Sequence, residues 1–178
     1  MSNAKTELTL ELSLQAYFYS ELKKLNDKKG VPLPNEAIYY SSRVLDRFGM
    51  SKELFEFENG KVREKVLGIK LLESTHLSKE QKKRQLRDVG DTALFICGYF
   101  SSSLNKKIID SSYYADLGIS AYQTLDQLIP EVLDIPSFYE KFSRSFDSIV
   151  ELMSLVSKQT MENYDLTDCY YIVDRKAS

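Results

Sequence analysis

The sequence predicts a single all-α domain, a bundle of five to seven helices around a central apolar helix. Three observations lead there. Apolar side chains return at spacings of three and four residues through most of the chain, which is the repeat of one helical face. Glycines number only seven and prolines four, and the prolines fall at the edges of those stretches, where they bound helices rather than interrupt them. A chain of 178 residues with 43% hydrophobic and 28% charged side chains is also long and apolar enough for one real core. The bundle is expected over residues 1–160, with 161–178 as a tail that is extended or packed on it.

The first helix is expected from Leu12 to Lys28, with Tyr17, Phe18, Leu22 and Leu25 at offsets of 3, 4, 8 and 11 from Leu14. The stretch from Thr9 to Leu14 alternates with period two and is also compatible with extended chain. Gly30, Pro32 and Pro34 break the chain, and Pro34 suits the start of a second helix, Asn35 to Phe48. That helix turns Ile38, Leu45 and Phe48 inward and ends at Gly49. Ser51 can cap a short turn holding Leu54 and Phe55 before the turn pair Asn59-Gly60. A third helix is read from Lys61 to Thr75, with Val62, Val66, Ile69 and Leu72 or Glu73 on one face.

Ser78-x-x-Gln81 is a capping-box signature for a fourth helix running to Ser102. Its first half is charged, and from Ala93 to Phe100 it is apolar nearly all round, so other helices must surround it. Asp110-Ser111-Ser112 opens the fifth helix, whose stripe is Tyr114, Leu117, Ala121, Leu125 and Leu128. Pro130 ends it, because proline lacks the amide donor and clashes with the preceding turn. Pro136 and Ser137-x-x-Glu140 open the sixth, with Phe138, Phe142, Phe146, Ile149, Met153 and Val156 facing in. Cys169 to Val173 reads as a short strand or an extended segment.

Charge and composition exclude several functions. Lys and Arg number 24 against 26 Asp and Glu, a net charge of −2, without the positive field that a nucleic-acid binder needs. One His and two distant Cys cannot build a zinc cage, and no Glu-x-x-His pair is present for a helical di-iron centre. No phosphate-loop or dinucleotide fingerprint occurs. No metal, no cofactor and no catalytic constellation are therefore expected. His76 lies in a Ser-Thr-His-Leu-Ser loop with no nucleophile partner. Glu7, Glu11 and Ser13 interrupt the N-terminal apolar residues, so no signal peptide is read there. No window approaches the ~18 apolar residues of a membrane helix. A cytoplasmic protein without membrane insertion is expected, its two thiols free.

The most distinctive segment is Arg84 to Phe100. Gly90 and Gly98 are eight residues apart, two turns along one helix, and each costs about 1 kcal/mol relative to alanine there. Close packing against the fifth helix through Gly118 compensates for this, or else the glycines leave room for a small ligand. Asp91 sits where the helix turns apolar, with Arg87 one turn earlier, an i,i+4 arrangement. If buried, Asp91 needs a partner, and a Tyr hydroxyl suits it. The tyrosines are numerous and partly paired (Tyr17/Tyr19, Tyr39/Tyr40, Tyr113/Tyr114, Tyr170/Tyr171), so that one ring of each pair points in and one toward the rim. Lys79, Lys82, Lys83, Arg84 and Arg87, with Lys106 and Lys107, read as a solvated basic surface.

The stretch L-R-D-V-G-D-T-A-L-F-I-C-G-Y-F-x-x-S-L from Leu86 to Leu104, followed by D-S-S-Y-Y-A-D-L-G-I-S-A-Y from Asp110 to Tyr122, resembles a group of uncharacterised proteobacterial proteins. These carry G-D-x-x-L-F-x-x-G-F-F and then D-Y-Y-x-x-M-G-x-x-A-Y, and the Ala37 to Phe48 stretch is similar to their second helix. The resemblance covers about Pro34 to Leu128. It implies a bacterial cytosolic origin and brings no assigned activity.

The function expected first is a non-enzymatic cytoplasmic protein that binds another protein as a regulator or adaptor, a second copy of the chain included. The alternative is a sensor of a small molecule or nucleotide, with a pocket between the fourth and fifth helices formed from Arg87, Asp91, Tyr99, Tyr113, Tyr114 and Tyr122. An enzyme using carboxylate and tyrosine groups without a metal comes third.

Overall fold

In the computed structural model, Ser13 accepts the amide of Ala16 on its hydroxyl at 3.1 Å, and the helix that this cap starts is the first of seven α-helices among the described residues. The structure describes residues 13–49, 57–58, 61–62, 66–100, 111–132 and 134–163. Within them lie α1 (Leu14–Asn26), α2 (Asn35–Gly49), α3 (Val66–Glu73), α4 (Lys79–Tyr99), α5 (Ser111–Leu128), α6 (Phe138–Arg144) and α7 (Phe146–Asn163). A 3-10 turn at Ser74–His76 and two short antiparallel ladders also lie among the described residues. In one, β1 (Phe57–Glu58) pairs β2 (Lys61–Val62) in the register Phe57 to Val62; in the other, β3 (Glu131–Val132) pairs β4 (Ile135–Pro136) with Val132 opposite Ile135. The all-α class holds.

Helix α4 is the centre. Leu86, Val89, Ala93, Leu94, Phe95 and Cys97 are all buried along it, and it packs most extensively on α5, then on α7. Helix α1 lies on α2 and α7, and α6 lies on α5. At the start of α4 the Gln81 side chain reaches back to the Ser78 amide at 3.3 Å, as the capping box expects. Asn26, fully buried, closes the loop after α1 by accepting from the Leu33 amide at 2.8 Å and donating to its carbonyl at 2.9 Å. That exchange satisfies backbone groups which the Gly30-to-Pro34 stretch would otherwise leave open.

The glycines report close approach. A Cβ on Gly90 would come within 2.7 Å of the Tyr122 ring, and one on Gly118 within 2.8 Å of Phe146 and 3.1 Å of Ala93. Thus α4 and α5 do meet through small residues. Gly98 departs from the expectation, because its neighbour is Met153 of α7, at 2.7 Å from an added Cβ. Eight residues of helix accumulate a rotation that takes the second glycine off the α5 side.

Other readings are corrected. Lys61 and Val62 form a ladder strand, so the third helix begins only at Val66. Its inward residues are Leu67 and, in part, Leu71, while Ile69 and Leu72 are exposed; the shorter helix meets α4 on a face rotated from the one chosen. The sixth segment is two helices, broken at Ser145, although Phe138, Phe142, Phe146, Ile149, Met153 and Val156 all face the core as expected. Ser137 sits at the start of α6 with φ of 52° and makes no side-chain cap. Instead, Asp126 of α5 accepts the Glu140 amide at 3.2 Å. Helix α7 continues to Asn163, past the expected boundary at 160. The Ser51–Phe55 turn, Asn59-Gly60, Asp110, Lys106, Lys107 and Cys169 to Val173 lie outside the described residues, as does the tail beyond 163.

Two outcomes follow for stability and reactivity. Gly98→Leu drives a side chain into Met153 and lowers the unfolding free energy by about 3 kcal/mol in urea titration; Gly30→Ala, where nothing lies within 4 Å of the added carbon, changes it by no more than about 0.5 kcal/mol. Burial pushes the Cys97 thiol up to about 12, with Asp147 adding to the effect. The thiolate is the reactive form, so peptide mapping after iodoacetamide treatment at neutral pH finds Cys97 unmodified in the folded protein and modified in denaturant.

Candidate functional site

A helix with Tyr40, Val44 and Arg47 at offsets of 4 and 7 presents all three on one face, and α2 turns this face toward α4. Arg87 and Asp91 stand one turn apart on α4, and Tyr122 arrives from α5 and Tyr139 from α6. Between these elements lies an open cavity of about 440 Å³, lined by Tyr39, Tyr40, Arg43, Val44, Asp46, Arg47, Arg87, Asp91, Val132 and Tyr139. This is the most chemically loaded space among the described residues.

Asp91 is its floor, only 5% exposed. A carboxylate so placed costs several kcal/mol unless its oxygens are satisfied, and here each one is. Oδ1 accepts the Tyr40 hydroxyl at 2.8 Å and the Tyr122 hydroxyl at 2.9 Å, while Oδ2 accepts Arg47 at 3.2 Å. Arg47 also pairs with Asp88, and Asp88 with Lys70 at 3.4 Å. The result is a chain of alternating charge from the surface to the core. Desolvation holds the Asp91 carboxyl above its ordinary value of 3.8, against the opposing pull of the two hydroxyls and of Arg47 and Arg87. Burial and the adjacent carboxylate push both hydroxyls well above their ordinary value, so Tyr40 and Tyr122 remain donors.

The rings are locked as firmly as the hydroxyls. Tyr122 stacks on Tyr139 with centroids 5.7 Å apart, and Tyr40 meets Phe142 edge-on at 4.9 Å. Such pairs contribute about 0.5–1.5 kcal/mol each beyond simple burial. Tyr139 accepts the Arg87 Nε at 3.1 Å on its hydroxyl. Arg87 therefore binds Tyr139, and among the described residues it makes no ion pair with Asp91, its neighbour one turn away.

Of the residues expected to form a site, Arg87 and Asp91 line the cavity, and Tyr122 lies beneath it, bonded to Asp91. The other three tyrosines are elsewhere. Tyr99 stacks on Phe95 with centroids 5.1 Å apart, and its carbonyl accepts Ser157 at 2.9 Å. Tyr114 is buried beside Tyr113, and Tyr113 is exposed over Gly68. The α4–α5 face, where a pocket was expected, is filled by Tyr122 against Gly90 and by Ala93 and Phe146 against Gly118. The open space lies instead toward α2. Sequence reasoning missed Tyr40, Arg43, Arg47 and Tyr139. The signal available was the i, i+4, i+7 row Tyr40, Val44, Arg47, which sets two polar residues on the edge of an apolar stripe.

No group of three or more His, Cys, Asp or Glu side chains among the described residues is placed to hold a metal, and no helix among them is long and apolar enough to cross a membrane. The chain has no match among family models, curated proteins or solved structures, so the geometry carries the reading of the site.

The pH dependence of stability isolates Asp91. A carboxyl whose folded pKa is raised contributes most below the unfolded value of 3.8, and loses that contribution as pH rises through the folded value. In Asp91→Asn this titration is absent. The stability of wild type relative to the variant, from urea unfolding at about pH 3 and about pH 7, therefore falls as pH rises; a rise would show that the hydrogen bonds outweigh desolvation.

Proposed function

We propose that this protein binds a small molecule in the cavity between α2, α4 and α6 and acts as a non-enzymatic sensor or carrier. The observation that carries this reading is the convergence of arginines and tyrosine hydroxyls on one open, pre-formed space of about 440 Å³, within the range typical of ligand pockets. The lining supports recognition more than catalysis. Arginine does not give up its proton at physiological pH, and Tyr40 and Tyr122 are held protonated and engaged. Asp91 has both oxygens occupied. A cytoplasmic bacterial setting accompanies the proposal, supported by the resemblance of the Leu86-to-Tyr122 segments and by the buried free thiol of Cys97.

Thermal unfolding against a panel of small metabolites tests it. At least one compound raises the midpoint, and Val132→Trp, which fills the cavity from the β3 wall, abolishes that rise while the free variant still unfolds cooperatively. Shifts that persist in Val132→Trp place the binding elsewhere.

A second reading, regulatory binding to a protein partner or to another copy of the chain, is favoured by one separate feature. Ile69 and Leu72 of α3 are 51% and 73% exposed and lie beside Tyr113 of α5 at 40%, around a shallow apolar groove that includes Gly68 and Leu117. Contiguous apolar surface of this kind marks interaction sites.

A further inference from the structure

We infer that the ligand of the α2–α4 cavity is a small organic oxyanion, a carboxylate or phosphate carried on an apolar body, and that Arg43 and Arg87 bind its charged group. This rests on the cavity reading above and adds the chemical class of the occupant. Arg47 divides its nitrogens between Asp91 and Asp88, and Lys70 completes the neutralisation of Asp88. Among the described residues those four carry two positive and two negative charges. Arg87 acts on Asp91 only through space, because its Nε is bonded to Tyr139 and its two terminal nitrogens make no ion pair with a carboxylate among the described residues. Arg43 makes no hydrogen bond or ion pair among the described residues and is exposed on the cavity lining.

Against these two guanidinium groups stands one further carboxylate, Asp46, also without a partner among the described residues. Among the described lining residues the unbalanced charge is positive. The Nε bond to Tyr139 orients Arg87, so less side-chain freedom is lost when it takes a ligand. Its terminal nitrogens then present the two parallel donors that match a carboxylate or phosphate edge. The volume asks for more than a bare ion, and the walls supply an apolar surface, with Val44 and Val132 beside the exposed ring of Tyr39. An anion with an attached ring or chain fills both parts of this space.

The test uses four probes that share one phenyl ring: phenyl phosphate, benzoate, benzyl alcohol and benzylamine. Each is titrated at millimolar concentration into the full chain and followed by amide chemical shifts in NMR. Phenyl phosphate and benzoate are expected to shift amides of α2 and α4 around the cavity, and their ratio separates phosphate from carboxylate recognition. Benzyl alcohol and benzylamine bind at least about tenfold more weakly, the loss expected when a charge-assisted hydrogen-bond pair is absent. Arg87→Gln and Arg43→Gln each weaken the anions by about tenfold. The second variant removes no contact among the described residues, so it remains informative if the first disturbs the fold. Asp46→Asn tightens anion binding a few-fold. Tightest binding of benzylamine or benzyl alcohol, or anion binding indifferent to both arginine substitutions, overturns the anion inference and leaves the cavity reading standing. No cavity shifts with any of the four overturns both.

Discussion

A carboxylate taken out of water must find its hydrogen bonds inside the protein, and Asp91 finds its partners on two other helices. Tyr40 and Arg47 come from α2 and Tyr122 from α5, while the carboxylate itself stands on α4. Buried ion pairs are seldom large net contributors to stability, since desolvation takes back most of the attraction. What they do impose is geometry. A rotation of α2 or α5 by one residue, about 100° around its axis, would carry its hydroxyl or guanidinium out of reach and leave the charge unsatisfied, at a cost of about 3–5 kcal/mol. One side chain thus constrains the mutual orientation of three helices. Apolar packing alone tolerates more variation in such angles.

The cavity and the solid parts of the bundle arise from the same choice of residue sizes. Along the α4–α5 contact, Gly90, Ala93 and Gly118 let the helices close on large partners, so Tyr122 and Phe146 fill the space between them. Toward α2 the contact is sparser, and long polar side chains replace small ones. Arginine and tyrosine reach the core with one end and water with the other. A face lined with them stays open, held in shape by hydrogen bonds more than by interdigitation.

The fold was legible because helical periodicity is strong in this chain. The stripes of α1, α2, α5 and the α6–α7 segment lie inside as their spacing suggests, and the apolar half of α4 is central. What the pattern could not carry was phase. In α3, Leu67 faces inward although Ile69 and Leu72 fit the period equally well, because a short apolar helix has two plausible faces and only its docking decides between them. The break at Ser145 was hidden for a related reason: Phe142 and Phe146 keep a four-residue spacing across it. Of the site, Asp91 and a tyrosine partner could be anticipated, since a charge next to an apolar run demands one. The identity of the partners could not, as Tyr40 and Arg47 are 51 and 44 residues distant in sequence. Tyr113 and Tyr114 stand beside Gly118 in the motif but not beside Asp91 in space.

One wall of the cavity differs in kind from the others. Val132 sits on a ladder of only two residue pairs, and the loop it belongs to turns through Asp134 and Ser137, both left-handed, with φ of 59° and 52°. Non-glycine residues in that conformation cost about 1–2 kcal/mol each, and two short strands contribute little against it. The helical walls, by contrast, are fixed by the buried core and by the Asp91 bonds. The free energy that keeps the β3 wall in place is therefore a local quantity, much smaller than the one that keeps the bundle folded. Opening of this wall and integrity of the helices are thermodynamically separate, so the β3 side can yield without loosening the carboxylate at the centre of the bundle.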